Sequence, residues 1–170
     1  MFKTIPKPFW LNKKISLGSC RKVKSVLRGL SLHSVCEESF CPNISECFCN
    51  GVATFMILGD ICTRACTFCG ISKGKPFLVD FNEPERIKEA VEKLNLNYVV
   101  ITSPTRDDLD DGGVSLFCQT VDAVMSIGSK IRVEILIPDF RGKVDLIEKI
   151  AKCRANVIGH NIETPASLYI

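Results

Sequence analysis

"ILGDICTRACTFCGISKG", residues 57–74, places Cys62, Cys66 and Cys69 within eight positions, directly after the apolar run ATFMIL (53–58). A short apolar run bounded by turn residues reads as a buried strand, so the three cysteines fall in the loop at its carboxyl end. The segments beyond that loop decide the fold class. "NEPERIKEAVEKLNL" (82–96) carries Ile87, Ala90, Val91 and Leu94 on one helical face, with Asn82 at the cap and Pro84 in the first turn. "NYVVITS" (97–103) reads as a buried strand, and "GGVSLFCQTVDAVMSIG" (112–128) as a helix stopped by Gly128. "IRVEILIP" (131–138), "KVDLIEKIAKC" (143–153) and "ANVIGHNIET" (155–164) repeat the pattern as strand, helix and strand, and the chain closes on "PASLYI". Strands joined by helical crossovers make a parallel α/β sheet. Both an open doubly wound sheet and a partial barrel satisfy this pattern. In both, chemistry gathers at the carboxyl ends of the strands. Those ends carry GDICTRACTFCG, TSPTRDDLDDGG, PDFRG and HNIETP.

The 170 residues suffice for one ordinary domain with its own core. Residues 1–52 read as an irregular, cysteine-rich extension with one short helix over CRKVKSVLRGL (20–30), and residues 53–170 as the αβ core. Hydrophobic residues make up 46% and charged ones 24%, the balance of a soluble globular chain. A net charge of +3 gives no case for a nucleic-acid partner, which calls for a concentrated basic face. The basic cluster Lys13, Lys14, Arg21, Lys22 and Lys24 reads as a solvated helix face, with docking of an acidic protein as the sharper alternative. No run approaches the ~18 apolar residues of a membrane span, and the opening MFKTIPKPFW has neither signal-peptide nor transit-peptide layout. A cytoplasmic location without membrane attachment is therefore expected. In that reducing compartment, ten cysteines point to metal or redox chemistry before disulfides. Cys118 and Cys153 read as isolated, inert thiols on apolar helix faces, and Cys20 and Cys49 as having no ligand role.

Thiolates suit zinc, copper(I) and iron–sulfur centres. Structural zinc takes four ligands, usually from paired Cys-x2-Cys units. Cys-x3-Cys-x2-Cys offers three, and three sulfurs can each hold one iron of a [4Fe–4S] cubane and leave the fourth iron open. At the end of the first strand of an αβ fold, this loop resembles that of the radical S-adenosylmethionine superfamily. The resemblance implies a partial (β/α) barrel, here its first four βα units. It also implies S-adenosylmethionine on the open iron, whose one-electron cleavage gives a 5′-deoxyadenosyl radical. Phe68, between the last two cysteines, reads as a hydrophobic shield for the cluster.

A second triplet, Cys36, Cys41 and Cys47, lies upstream in "VCEESFCPNISECFCNG" with Cys-x4-Cys-x5-Cys spacing. Ahead of a radical loop, it is similar to the auxiliary-cluster motif of the lipoyl synthase family. KPFWLNKKI, KVKSVLRGLSLHSVCEESFCPNISEC, ATFMILGDICTRACTFCGISKGKP, EPERI, VVITS with RDDLDDGG, VEILIPDFRG and NVIGHNIETPASLY keep to that family's order. The resemblance implies a sulfurtransferase reaction: radical insertion of two sulfurs at C6 and C8 of an octanoyl chain on a lysine of a lipoyl carrier protein (protein lipoylation, lipoate biosynthesis). Cys62, Cys66 and Cys69 would hold the radical cluster, and Cys36, Cys41 and Cys47 a second [4Fe–4S] cluster consumed as sulfur donor. Gly112 and Gly113 would let backbone approach the methionine end of S-adenosylmethionine, or merely cap the following helix. Asn161 and Glu163 would contact its ribose, or satisfy their own turn. Arg106, Asp107 and Asp108 are candidates for orienting cofactor or substrate lysine. His33 and His160 read as hydrogen-bonded structural histidines, and Glu37, Glu38 and Glu46 as tuning the second triplet or solvated. Implied partners are octanoylated carrier domains (the acyltransferase subunit of 2-oxoacid dehydrogenases, the glycine cleavage H protein) and an electron donor such as flavodoxin or ferredoxin.

The sequence departs from that family at Pro104 and Thr105, where a valine and an aspartate or asparagine are usual. It departs again in the shortened FCNGVATF segment, which carries the out-of-pattern Cys49. Family members also continue beyond the point matching Ile170, with closing strands, a glycine-rich adenosine contact and an Arg-Ser-Ser-Tyr stretch supplying the fourth auxiliary ligand. The last strand is accordingly expected to show an unpaired edge. A non-catalytic iron–sulfur protein or electron carrier is the alternative, and a colourless zinc module a third reading.

Overall fold

The structure, a computed structural model, describes residues 8–11, 17–39 and 41–168. Lys13 and Lys14 of the basic cluster lie outside the described residues, as do Tyr169 and Ile170. The strands are β1 (His33–Ser34), β2 (Val52–Met56), β3 (Ile61–Cys62), β4 (Ser72–Lys73), β5 (Tyr98–Thr102), β6 (Arg132–Leu136) and β7 (Val157–Gly159). The α-helices are α1 (Leu17–Gly29), α2 (Val35–Glu38), α3 (Ile44–Cys49), α4 (Glu83–Leu94), α5 (Val114–Met125) and α6 (Val144–Ala151).

The main sheet has the order β1-β2-β5-β6-β7. From β2 to β7 every pairing is parallel and the order never reverses. A doubly wound sheet reverses at a switch point, so of the two architectures the sequence allows, the chain adopts the barrel-type one, left open. Register aligns Ala53, Val99 and Val133 in one row and Phe55, Ile101 and Ile135 in the next. All six are buried, because alternate residues of each strand face the helix layer. Against them pack Ile87, Ala90 and Val91 of α4, Phe117, Val121 and Val124 of α5, and Ile150 of α6, all in one core cluster.

The helices start and stop for local reasons. Pro84 sits in the first turn of α4, and Asn95 closes it in the left-handed region at φ 51°. Helix α5 ends at Met125 with Ser126 as its cap, two residues before the expected stop at Gly128. The extension is more ordered than the sequence suggests. Its described residues hold three α-helices, and β1 pairs antiparallel with β2, joining residues 33–34 to the core sheet. Helices of four and six residues are too short to show a period, although Ser34 does cap α2 by accepting from the Glu37 N–H at 3.3 Å. The last strand is three residues long, pairs only with β6 among the described residues, and leaves Val157 and Ile158 exposed. No described helix is long and apolar enough to cross a membrane.

Candidate functional site

The carboxyl ends of the parallel strands surround a cavity of about 550 Å³. Cys62, Cys66 and Cys69 line it together with Thr102 to Thr105, Asp139, His160, Asn161 and Glu163. Four loops distant in sequence thus share one rim. The cysteine loop is tied down at both ends by a ladder that no period in the sequence announces: β3 pairs with β4, setting Cys62 opposite Lys73. The Gly74 N–H adds a bond to the Cys62 carbonyl at 3.1 Å. Thr63 donates to the Thr105 carbonyl from both its N–H (3.0 Å) and its hydroxyl (2.9 Å), and its hydroxyl accepts from the Asp107 N–H at 3.1 Å. Because the Thr105 contact is through backbone, the unusual Pro104-Thr105 pair leaves it intact.

Arg64 lies inside the loop, and no motif in the sequence singles it out. Its guanidinium forks onto Asp107 (Nε–Oδ2 2.8 Å, Nη2–Oδ1 3.1 Å) and onto Asp139 (Nη1–Oδ2 and Nη2–Oδ1, both 2.7 Å). One planar side chain thereby joins three rim loops, a geometry lysine does not reproduce. Arg64 holds the Asp139 carboxyl down to about 2 and keeps Asp107 below the usual carboxylate range. A carboxyl depressed in the folded state contributes stability above its unfolded pKa and loses it as pH falls through the folded one. The melting midpoint should therefore drop between about pH 4 and pH 2, and Arg64→Met should remove part of that drop. The Asp139 side chain is 46% exposed, so screening holds its share to about 1 kcal/mol or less. Thermal melts of both proteins across this range decide it, and identical acid limbs would count against the network.

In the second triplet, Cys41 and Cys47 lie near Cys36. Cys36 is buried on α2, and its thiol is pushed up first by that burial and further by the nearby Cys41 and Cys47, while hydrogen bonds from Thr54 draw it down. Val35, next to Cys36, and Met56 on β2 line the 550 Å³ cavity, while Cys36, Cys41 and Cys47 themselves do not. Around the second triplet, Glu37 is engaged by Ser34 and by Lys24 at 3.5 Å, and Glu38 by His33 at 3.5 Å.

The remaining candidates separate. Asn161, Glu163 and His160 line the cavity, and the His160 Nδ1 sits 2.9 Å from the Ile137 carbonyl. Gly112 and Gly113 do not line it. Gly113 is the N-cap of α5 at φ 90° and packs under Leu58, while Gly112 abuts Phe140. Arg106 is 3% exposed and turned inward, away from the cavity lining. Phe68 stands at the cavity wall, 67% exposed. Cys118 and Cys153, expected to sit apart, share a side-chain hydrogen bond between α5 and the end of α6. Burial and that neighbour push the Cys118 thiol up to about 11, which keeps it protonated and unreactive.

The donor set fits an iron–sulfur cluster: each triplet is all thiol, the soft chemistry such clusters take. Among the described residues, no three ligating side chains converge as one bare ion would need. A cubane makes no such demand, taking one thiolate per iron. The Arg64 N–H donates to the Cys62 sulfur at 3.4 Å, which fixes where that sulfur stands in the loop. The cavity is of small-molecule size, and the Ser103 hydroxyl on its wall is buried without a hydrogen-bond partner. An orphaned hydroxyl of this kind leaves a place for a polar ligand group.

Comparison with known proteins agrees with this donor chemistry. The radical SAM superfamily model matches residues 56–169. The chain is similar to a lipoyl synthase of Caldicellulosiruptor saccharolyticus, 51% identical over 164 residues, 96% of this chain and 58% of that protein. It is also similar to lipoyl synthases of Geotalea daltonii (47% over 167 residues, 98% of this chain and 57% of that one) and Neisseria gonorrhoeae (47% over 166 residues, 97% and 51%). The chain spans between half and three fifths of the length of these relatives.

Proposed function

Because the chain belongs to the radical SAM superfamily, we propose that it provides the radical and sulfur-donor centres of a lipoyl synthase. The reaction is insertion of sulfur at C6 and C8 of an octanoyl chain on a carrier-protein lysine. The observation that carries this reading is the cavity at the strand ends, with Cys62, Cys66 and Cys69 on its wall beside the polar Asn161 and Glu163. When bound, a [4Fe–4S] cluster with S-adenosylmethionine supplies a 5′-deoxyadenosyl radical, and a second cluster supplies sulfur.

The protein's own residues hold and shield these centres. Cys62, Cys66 and Cys69 bind the first cluster, leaving one iron for the cofactor, and Cys36, Cys41 and Cys47 bind the second. Asn161 and Glu163 present a polar pair to the cofactor's ribose. Met56, Ile71, Leu136 and Phe68 wall the cavity with apolar surface, which excludes water from a reactive intermediate. The substrate is an octanoyl-lysyl carrier domain, and an electron donor of the flavodoxin or ferredoxin kind reduces the first cluster.

The test is anaerobic reconstitution followed by S-adenosylmethionine, dithionite and an octanoyl-lysyl peptide, with 5′-deoxyadenosine and thiolated peptide read by mass spectrometry. Both products are expected. A chain that forms clusters yet releases no 5′-deoxyadenosine would instead be an electron carrier or a non-catalytic iron–sulfur protein.

A further inference from the structure

Four residues before Cys62, the chain passes through an unusual point. Leu58 lies in the left-handed region at φ 67°, where a side chain is disfavoured, so something must hold it there. Its N–H donates to Glu83 Oε2 at 2.9 Å, and its carbonyl accepts from Arg106 Nη1 at 2.9 Å. Glu83 is 4% exposed and Arg106 3%. These are the two charged residues buried among the described residues, and they hold the two peptide units on either side of one Cα. Glu83 comes from the first turn of α4 and Arg106 from the loop between β5 and α5.

Arg106 does more than hold Leu58. Its Nη2 donates to the Phe77 carbonyl at 3.1 Å, on the segment that leaves the cysteine loop after β4. One guanidinium therefore ties the loop's entry to its exit. Asp108 orients it with a bidentate grip, Nε–Oδ1 2.9 Å and Nη2–Oδ2 2.8 Å. An ammonium group is a point donor and cannot span two carbonyls and a carboxylate in one plane.

We propose that Glu83 and Arg106 are positioning residues for the Cys62–Cys66–Cys69 loop, acting through the Leu58 and Phe77 backbone. This rests on the assignment of that loop as the cluster ligand set. The arrangement fixes where the loop begins and ends. Such partners outside the ligand set govern how well a metal centre is retained.

The experiment uses the full chain with Cys36, Cys41 and Cys47 changed to alanine, so that only this loop can hold a cluster. Into it go Arg106→Lys, Glu83→Ala, Glu83→Gln and, as a stability control remote from the loop, Ile150→Ala. The apo proteins are digested with trypsin, and cleavage after Arg64 and Lys73 is timed at matched fractions folded. The reconstituted proteins are then challenged with an iron chelator. Arg106→Lys and Glu83→Ala should be cut about tenfold faster than Ile150→Ala and release iron about tenfold faster. Glu83→Gln keeps an acceptor for the Leu58 N–H and should restore both rates to within about twofold. If Arg106→Lys is cut no faster than Ile150→Ala, the proposal is overturned. A parent that binds no iron would overturn the cluster assignment instead, while the digestion still decides the clamp.

Discussion

Replacing Cys62, Cys66 and Cys69 together by alanine is expected to lower the iron content of the reconstituted chain from about eight to about four, with sulfide falling in step. The reason is one thiolate per iron: once Cys62, Cys66 and Cys69 are gone, no thiol is left among the cavity's lining residues. Replacing Cys36, Cys41 and Cys47 should remove the other four irons, leaving the first centre whole. The two variants separate in a second measurement. Adding S-adenosylmethionine should alter the electron paramagnetic resonance spectrum of the reduced protein only while the first triplet is present, because only that set lines the cavity in which Asn161 and Glu163 would receive the cofactor. Iron and sulfide analysis with these spectra checks both statements. Equal iron in all three proteins would sink the two-centre reading, and stoichiometric zinc in its place would point to a structural module.

Gly113→Ala should cost about 3 kcal/mol of stability, a sum of two effects. At φ 90° a side chain sits outside the favoured backbone regions, which costs about 1–2 kcal/mol. The added Cβ would also lie 2.2 Å from Leu58 Cδ1. Leu58 is 4% exposed and its backbone is held by Glu83 and Arg106, so relief must come from turning its side chain within the packed core, and overpacking of this kind costs about 1–3 kcal/mol. For a domain of this size the melting midpoint should fall by about 9 °C. Gly112→Ala, whose Cβ meets Phe140 Cδ1 at 2.9 Å and whose φ is 57°, lies nearer the allowed left-handed region and should lose less. Thermal melts of the apo proteins are the measurement, and a change below about 1 °C for Gly113→Ala would refute the packing argument.

Much of this was legible in the sequence because it is local. Periodicity and turn residues place β2, β5 and β6 and helices α4, α5 and α6 close to where they stand, and the cysteine spacing is read without any coordinates. The elements that escaped were short: β1, β3, β4, α2 and α3 have two to six residues each, less than the length over which a period becomes visible. Cys118 and Cys153 looked isolated because 35 positions part them in the chain while α5 and α6 bring their thiols together.

The sequence by itself determined that this is an alternating α/β chain with two cysteine triplets, one of them at a strand end, since spacing and residue type are properties of the sequence alone. Only the tertiary structure decided between a doubly wound sheet and a barrel segment, because both are written with the same strand and helix periods and differ in which strands are neighbours. It also decided which polar rim residues face the cavity. Arg64 reaches partners 43 and 75 positions away, Arg106 turns inward to hold Leu58 and Phe77, and Asn161 and Glu163 line the space with the thiols. A charged residue's role depends on what lies across from it, and that is set by how the strands and loops pack.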